Sequence, residues 1–161
     1  MTVRSVLLLI PLLVVVGGAR AQARPTCEVV PKSLAAMKDC YRPLLVFSPS
    51  GDDTRLKRQV TFLDAAADDM MDRFVLYTPI VPDGRRVTTP ADAPYTVLNA
   101  KEMAAVRARF HIPAAAFEVL LLDEDQIVKL RSTLPVSSDR LNDLIDKLPQ
   151  RQVEMRRPHS N

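Results

Sequence analysis

The sequence predicts an α/β fold, a four-stranded mixed sheet with helices on both faces, in the order β-α-β-α-β-β-α. Three observations predict it. Short apolar runs of strand length recur at 44–47, 74–81, 117–122 and 127–132. Three other stretches place apolar residues at steps of three and four, the spacing of one helix face. Two helical connections precede the third run and only a short polar link precedes the fourth, which fits two right-handed crossovers followed by a hairpin.

The first run, Leu44–Phe47, is bounded by Pro43 and Pro49 and reads as a short buried strand. Asp52 and Asp53 then suit an N-cap and first turn, with their carboxylates at the positive end of a helix. Leu56, Val60, Leu63, Ala67 and Met70 form one apolar stripe, which predicts a single helix of about five turns. Phe74–Val81 is the second strand, with an irregular end expected at Pro79. A polar, proline-bearing loop follows from Arg85 to Pro94. Asn99 caps a helix with Met103, Val106 and Phe110 on its apolar side. Phe117–Leu122 and Ile127–Ser132 are joined by the acidic link Asp123-Glu124-Asp125-Gln126, which predicts a hairpin. Ser137 or Ser138 caps a last helix carrying Leu141, Leu144, Ile145 and Leu148, and Pro149 is expected to stop it. This order is the core of the thioredoxin fold.

The 161-residue length suits one domain after its leader is set aside. Arg4, an apolar run from Val6 to Val16 and the small residues before Ala21 form a secretory signal peptide over 1–21, with cleavage after Ala21 or, failing that, Ala23. The run is shorter than the roughly 20 residues that span a bilayer, so no transmembrane segment is expected after cleavage. Residues 22–41 read as an N-terminal extension, with a short helical turn from Ser33 to Asp39. Residues 42–149 read as the thioredoxin-like domain and 150–161 as a basic, mobile tail. The chain carries 22 Lys+Arg against 19 Asp+Glu; without Arg4 and Arg20 this becomes 20 against 19. A nearly neutral mature chain gives no reason to expect nucleic acid.

Cys27 and Cys40 are the two cysteines, and in an oxidising compartment an even count points to one structural disulfide, worth about 3 kcal/mol for so short a loop. Two free thiols, an intermolecular bond and a redox pair are the alternatives. The spacing is not Cys-x-x-Cys, and neither residue opens an evident helix.

A thioredoxin carries its reactive pair where the first core strand feeds a helix. Here those positions fall near Asp52 and Arg55, and the position of its cis-proline falls near Glu118. A carboxylate cannot exchange disulfides or reduce a peroxide, so the turn is not a thiol redox centre. Ser48, Ser50 and the backbone around Gly51 face a helix N-terminus, but Asp52 and Asp53 would repel an anion there. A hydrolase on Ser50 needs a base, and His111 and His159 are poorly placed for it. The acidic clusters lack the spacing of a calcium loop, so neither metal nor cofactor is expected. Lys129 and Arg131 alternate on one face of the last strand. They either guard a sheet edge or offer a small cationic surface to an acidic partner.

Arg42–Gln59 (Arg-Pro-Leu-Leu-Val-Phe-Ser-Pro-Ser-Gly-Asp-Asp-Thr-Arg-Leu-Lys-Arg-Gln), Val128-Lys-Leu-Arg-Ser132 and Ile145–Arg157 together resemble an uncharacterised family. It is a small thioredoxin-like domain of unknown function found in exported bacterial proteins. It is related to domains of sushi-repeat-containing secreted proteins and of the matrix protein down-regulated by oncogenes. The resemblance implies fold and export, with a peroxiredoxin-like activity suggested for relatives and no settled catalytic residues to transfer. The expectation is an exported, periplasmic or secreted, non-catalytic binding or accessory module of the cell envelope. Its partner is a protein or small molecule, and its candidate surface is Ser48, Ser50, Asp52, Asp53, Arg55, Lys129 and Arg131. The alternatives are a peroxiredoxin-like or thiol-disulfide oxidoreductase using Cys27 and Cys40, and a structural envelope protein.

Overall fold

The structure is a computed structural model that describes residues 27–82 and 87–156. The expected signal peptide, both expected cleavage sites and the end of the tail lie outside the described residues. Four strands form one mixed sheet in the order β2-β1-β3-β4. The central strand β1 (Arg42–Phe47) is buried at all six positions, as expected for a strand paired on both sides and covered on both faces. It pairs in parallel with β2 (Val75–Ile80) and antiparallel with β3 (Glu118–Leu122), which pairs antiparallel with β4 (Val128–Ser132). Pro79 does not end β2; it lies inside the strand opposite Val46. A strand at the sheet margin accommodates a residue that lacks an N–H.

Helices cover both faces. Residues 42 and 47 are five apart on one strand and so point to opposite faces. The Phe47 ring meets Phe110, the C-cap of α3 (Ala100–Arg109), at 6.3 Å between centroids. Arg42, on the other face, meets Glu154 of the last helix. Between them runs a continuous core that includes Leu44, Leu45, Val46, Leu120 and Leu121, all fully buried.

The single helix expected from Leu56 to Met70 is two: α1 (Thr54–Asp64) and α2 (Ala67–Asp72). The apolar stripe continues across the break, and Met70 stays buried. Ala66 leaves helical geometry at φ −136°, ψ 36°. Asp64, just before the break, turns its carboxylate to the backbone N–H groups of Ala91, Asp92 and Ala93 at 2.9–3.3 Å. Gln59 on α1 is buried and satisfied: it donates to Val136 O at 2.9 Å and accepts from Val136 N at 2.7 Å. That pair of bonds fixes the approach to α4 (Ser138–Ile145), which Ser137 caps and whose Ser138 hydroxyl donates to Phe62 O at 2.6 Å.

Two terminal readings change. Pro149 does not end a helix but opens one, α5 (Pro149–Met155), at the first position, where its missing N–H has no partner to lose. Residues 150–155 are therefore helical, and Arg151 is buried, where a mobile tail was expected. At the other end, the described part of the extension is attached to the domain. A 3-10 turn at Ala35–Met37 buries Leu34 and Met37, and Thr96 Oγ1 donates to Pro31 O at 2.9 Å. Cys27 and Cys40 form a disulfide, with Cα atoms 5.7 Å apart. No helix among the described residues is long and apolar enough to cross a membrane.

Candidate functional site

The turn after β1 is the place to look first, because it joins the carboxyl end of a central strand to a helix N-terminus. Its polar groups are largely consumed internally. Ser48 is buried; its hydroxyl donates to Ser50 O at 2.8 Å and its N–H to Ile80 O at 3.1 Å. Gly51 O accepts from Thr88 Oγ1 at 2.8 Å, and the Tyr77 hydroxyl donates to Thr88 O at 3.1 Å. Burial holds the Tyr77 phenol far above its ordinary range, so it stays protonated. Ser50 is exposed, and Asp52 is an exposed partner of Lys57 at 3.4 Å.

Asp53 is the N-cap of α1. It accepts from Arg55 N at 2.8 Å and, through both carboxylate oxygens, from the Arg55 guanidinium at 3.0 and 2.7 Å. This contact holds the Asp53 carboxyl below its usual range and raises Arg55. The same guanidinium lies 4.8 Å over the ring of Phe117, the residue before β3. Of the two positions expected to match the thioredoxin pair, Arg55 joins this contact and Asp52 does not, lying exposed beside Lys57. Asp53, Arg55 and Phe117 meet as a carboxylate, a guanidinium and an aromatic ring, a set that orders the end of the sheet and contains no thiolate for disulfide exchange.

Arg107 was not singled out in the sequence, and it ties this end together. It donates to Ile80 O at 2.7 Å, Pro113 O at 2.8 Å and Ser48 O at 3.2 Å, with its guanidinium 5.4 Å over Phe47. Burial pulls its pKa below the usual arginine value. Nothing in the local pattern of α3 distinguishes it from a solvated last-turn arginine; only the three carbonyls that converge on it do.

Lys129 and Arg131 do not share one face. The β3–β4 register shifts between Leu121 and Leu122, so Leu130 and Val128 have partners and Lys129 is the extra residue. A bulge of this kind breaks the alternation and re-aims a side chain. Arg131 reaches Glu118 and, at 3.2 Å, Phe110 O at the end of α3. Lys129 pairs with the buried carboxylate of Asp123 at 2.9 Å and lines a cleft against α4. The seven candidate residues therefore divide into a turn set and two separate cations.

A second polar cluster lies at the opposite end of β1. Arg42 is fully buried and donates to Glu154 Oε1 at 2.7 Å and Arg73 O at 2.8 Å; Glu124 Oε1 is 3.1 Å away. Arg151 joins Glu154 at 3.2 Å and also pairs with Asp72, while Arg73 pairs with Asp146 at 2.8 Å. Burial, opposed by Arg42 and reinforced by the neighbouring Glu154, pushes the Glu124 carboxyl up to about 7. Burial also works against Glu154, but its bonds to Arg42 carry it below the usual range. The signals in the sequence were an arginine opening an apolar strand, which needs a buried carboxylate, and Arg151 and Glu154 one helical turn apart.

The disulfide belongs to this second end. Cys40 lies two residues before β1 and the capping turn lies beyond its far end, so about 20 Å of strand separates them. Among the described residues, no group of three or more His, Cys, Asp or Glu side chains could hold a metal ion.

Residues 33–154 match the family described as domain of unknown function DUF4174. No curated protein matches the chain. Among solved structures, it is similar to thioredoxin peroxidase I of Plasmodium yoelii, with 18% identity and a TM-score of 0.57 over 80% of this chain and 84% of that one. It is also similar to the reduced 2-Cys peroxiredoxin of Plasmodium vivax, with 16% identity and a TM-score of 0.57 over 74% and 84%. At these identities the likeness is one of fold, which is thioredoxin-like. With most of its length inside the match, the chain belongs to the DUF4174 family.

Proposed function

We propose that this protein is an exported, non-catalytic binding or accessory module that uses a thioredoxin-like scaffold without thiol chemistry. One observation carries the reading. Both cysteines are joined to each other ahead of β1, while the turn at its far end holds Asp52, Asp53 and Arg55 and no cysteine. Thiol catalysis needs a thiolate stabilised at a helix N-terminus or beside a cation, within reach of substrate. The α1 N-terminus offers a capping carboxylate instead.

A second reading draws on the exposure of Cys27: a thiol-disulfide oxidoreductase or peroxiredoxin-like enzyme working through the Cys27–Cys40 bond from outside the usual position. Insulin reduction and peroxide consumption, measured on the exported protein and on Cys27→Ser and Cys40→Ser, separate the two. The binding-module reading expects no turnover from any of the three. Turnover lost with either cysteine establishes the enzyme.

A further inference from the structure

The bulge in β4 turns Lys129 toward α4, where it lines a cleft of about 430 Å³ with Arg140, Asp143, Leu144, Lys147 and Leu148. Leu148 is buried and Leu144 half-buried, giving the cleft an apolar floor. The stems of three long cationic side chains extend that apolar surface while their charges stay at its rim. Lys129 is held by Asp123 at 2.9 Å. Arg140 and Lys147 are exposed, and their side chains have no ion-pair partner among the described residues. Asp143 is the one acid in the lining. An apolar floor under a cationic rim is complementary to a molecule with one negative end and one aliphatic end.

We propose that the cleft between β4 and α4 binds a small amphiphilic anion, a carboxylate on a short aliphatic chain. The chain lies on Leu144 and Leu148, and the carboxylate meets the rim of Lys129, Arg140 and Lys147. The volume lies within the range of small-molecule sites. A peptide adding a fifth strand is the less suitable occupant, because the bulge and the charges of Lys129 and Arg131 obstruct pairing along the β4 edge. The proposal gives the binding module a ligand class and rests on that reading. The two fail separately, since thiol assays decide one and a ligand titration the other.

The test is calorimetric and NMR titration of the full exported protein with decanoate. Acetate, octyl glucoside and phosphatidylglycerol vesicles serve as separate arms. Saturable decanoate binding is expected, at least ten-fold tighter than acetate or octyl glucoside, with amide shifts confined to β4 and α4. The double variant R140Q/K147Q should weaken it at least ten-fold and Leu144→Ser several-fold, while Asp143→Asn tightens it. Arg140, Asp143 and Lys147 are exposed, so melting temperatures of R140Q/K147Q and Asp143→Asn should stay close to wild type, whereas Leu144 packs against the core, so Leu144→Ser should lower the melting temperature. Decanoate binding that is absent, matched by octyl glucoside, indifferent to R140Q/K147Q, or replaced by binding to vesicles alone overturns the proposal.

Discussion

Arg42 Nη2 donates to Glu154 Oε1 at 2.7 Å, and through this contact the first strand of the sheet holds the last helix of the chain. The guanidinium is fully buried, so it needs a carboxylate in place. Helix α5 exists as a packed element because it supplies one. Removing that carboxylate leaves the buried guanidinium with Glu124, 3.1 Å away, as its remaining acidic partner. Glu154→Ala should lower unfolding stability by about 2 kcal/mol in denaturant titration, through loss of a charge-assisted hydrogen bond. Replacing both partners by apolar residues of similar size, as in R42M/E154L, should recover most of the loss. An unchanged stability for the single variant would mean that α5 is not docked in solution.

Glu124 sets the dependence of stability on pH near neutrality. Its folded pKa of about 7 lies above its unfolded value, so between roughly pH 4.5 and 7 the folded chain holds a proton that the unfolded chain has lost. Its contribution is fully present below that window and disappears as pH rises through 7. The melting temperature should therefore fall from pH 5 to pH 8, and Glu124→Gln, neutral throughout, should flatten that slope. A slope unchanged in the variant would assign it to another group.

The acid limb has the opposite sign and different owners. Asp53 and Asp146, held low by Arg55 and Arg73, contribute stability above their unfolded pKa that is lost as pH falls through the folded one. Asp64 behaves the same way: burial alone would raise it, but three backbone N–H groups carry it below its ordinary value. Asp53→Ala removes the α1 cap and should cost about 1 kcal/mol at pH 7, with the difference from wild type shrinking toward pH 3. Urea titrations at the two pH values check this.

The order of elements along the chain, the hairpin and the cap Asn99 were legible because each rests on local spacing, and the other two caps were narrowed to Asp52 or Asp53 and Ser137 or Ser138. The absence of cysteine from the turn at Asp52 to Arg55 could also be read directly. What was hidden depends on distant partners. Pro149 is compatible with either a stop or a first helical position, and only the docking of Arg151 and Glu154 on Arg42 selects the second. The break at Ala66 is set beside an aspartate drawn to a loop nearly thirty residues away. Lys129 and Arg131 look like neighbours on one face until the bulge, a property of the β3–β4 register, divides them.

The disulfide should act on stability. It closes a loop of 13-residue separation, and Cys40→Ser should lower unfolding stability by about 3 kcal/mol, with the circular dichroism of the sheet and helices retained. A denaturation curve superimposable on wild type would indicate that the bond is absent from the folded protein.

Steady-state peroxide consumption by the oxidised and reduced protein, with free thiols counted in the same sample, bears most directly on a thioredoxin-like domain without thiol chemistry. The expected result is no free thiol in the oxidised form and no turnover in either form. Turnover that disappears with Cys27→Ser or Cys40→Ser would contradict it.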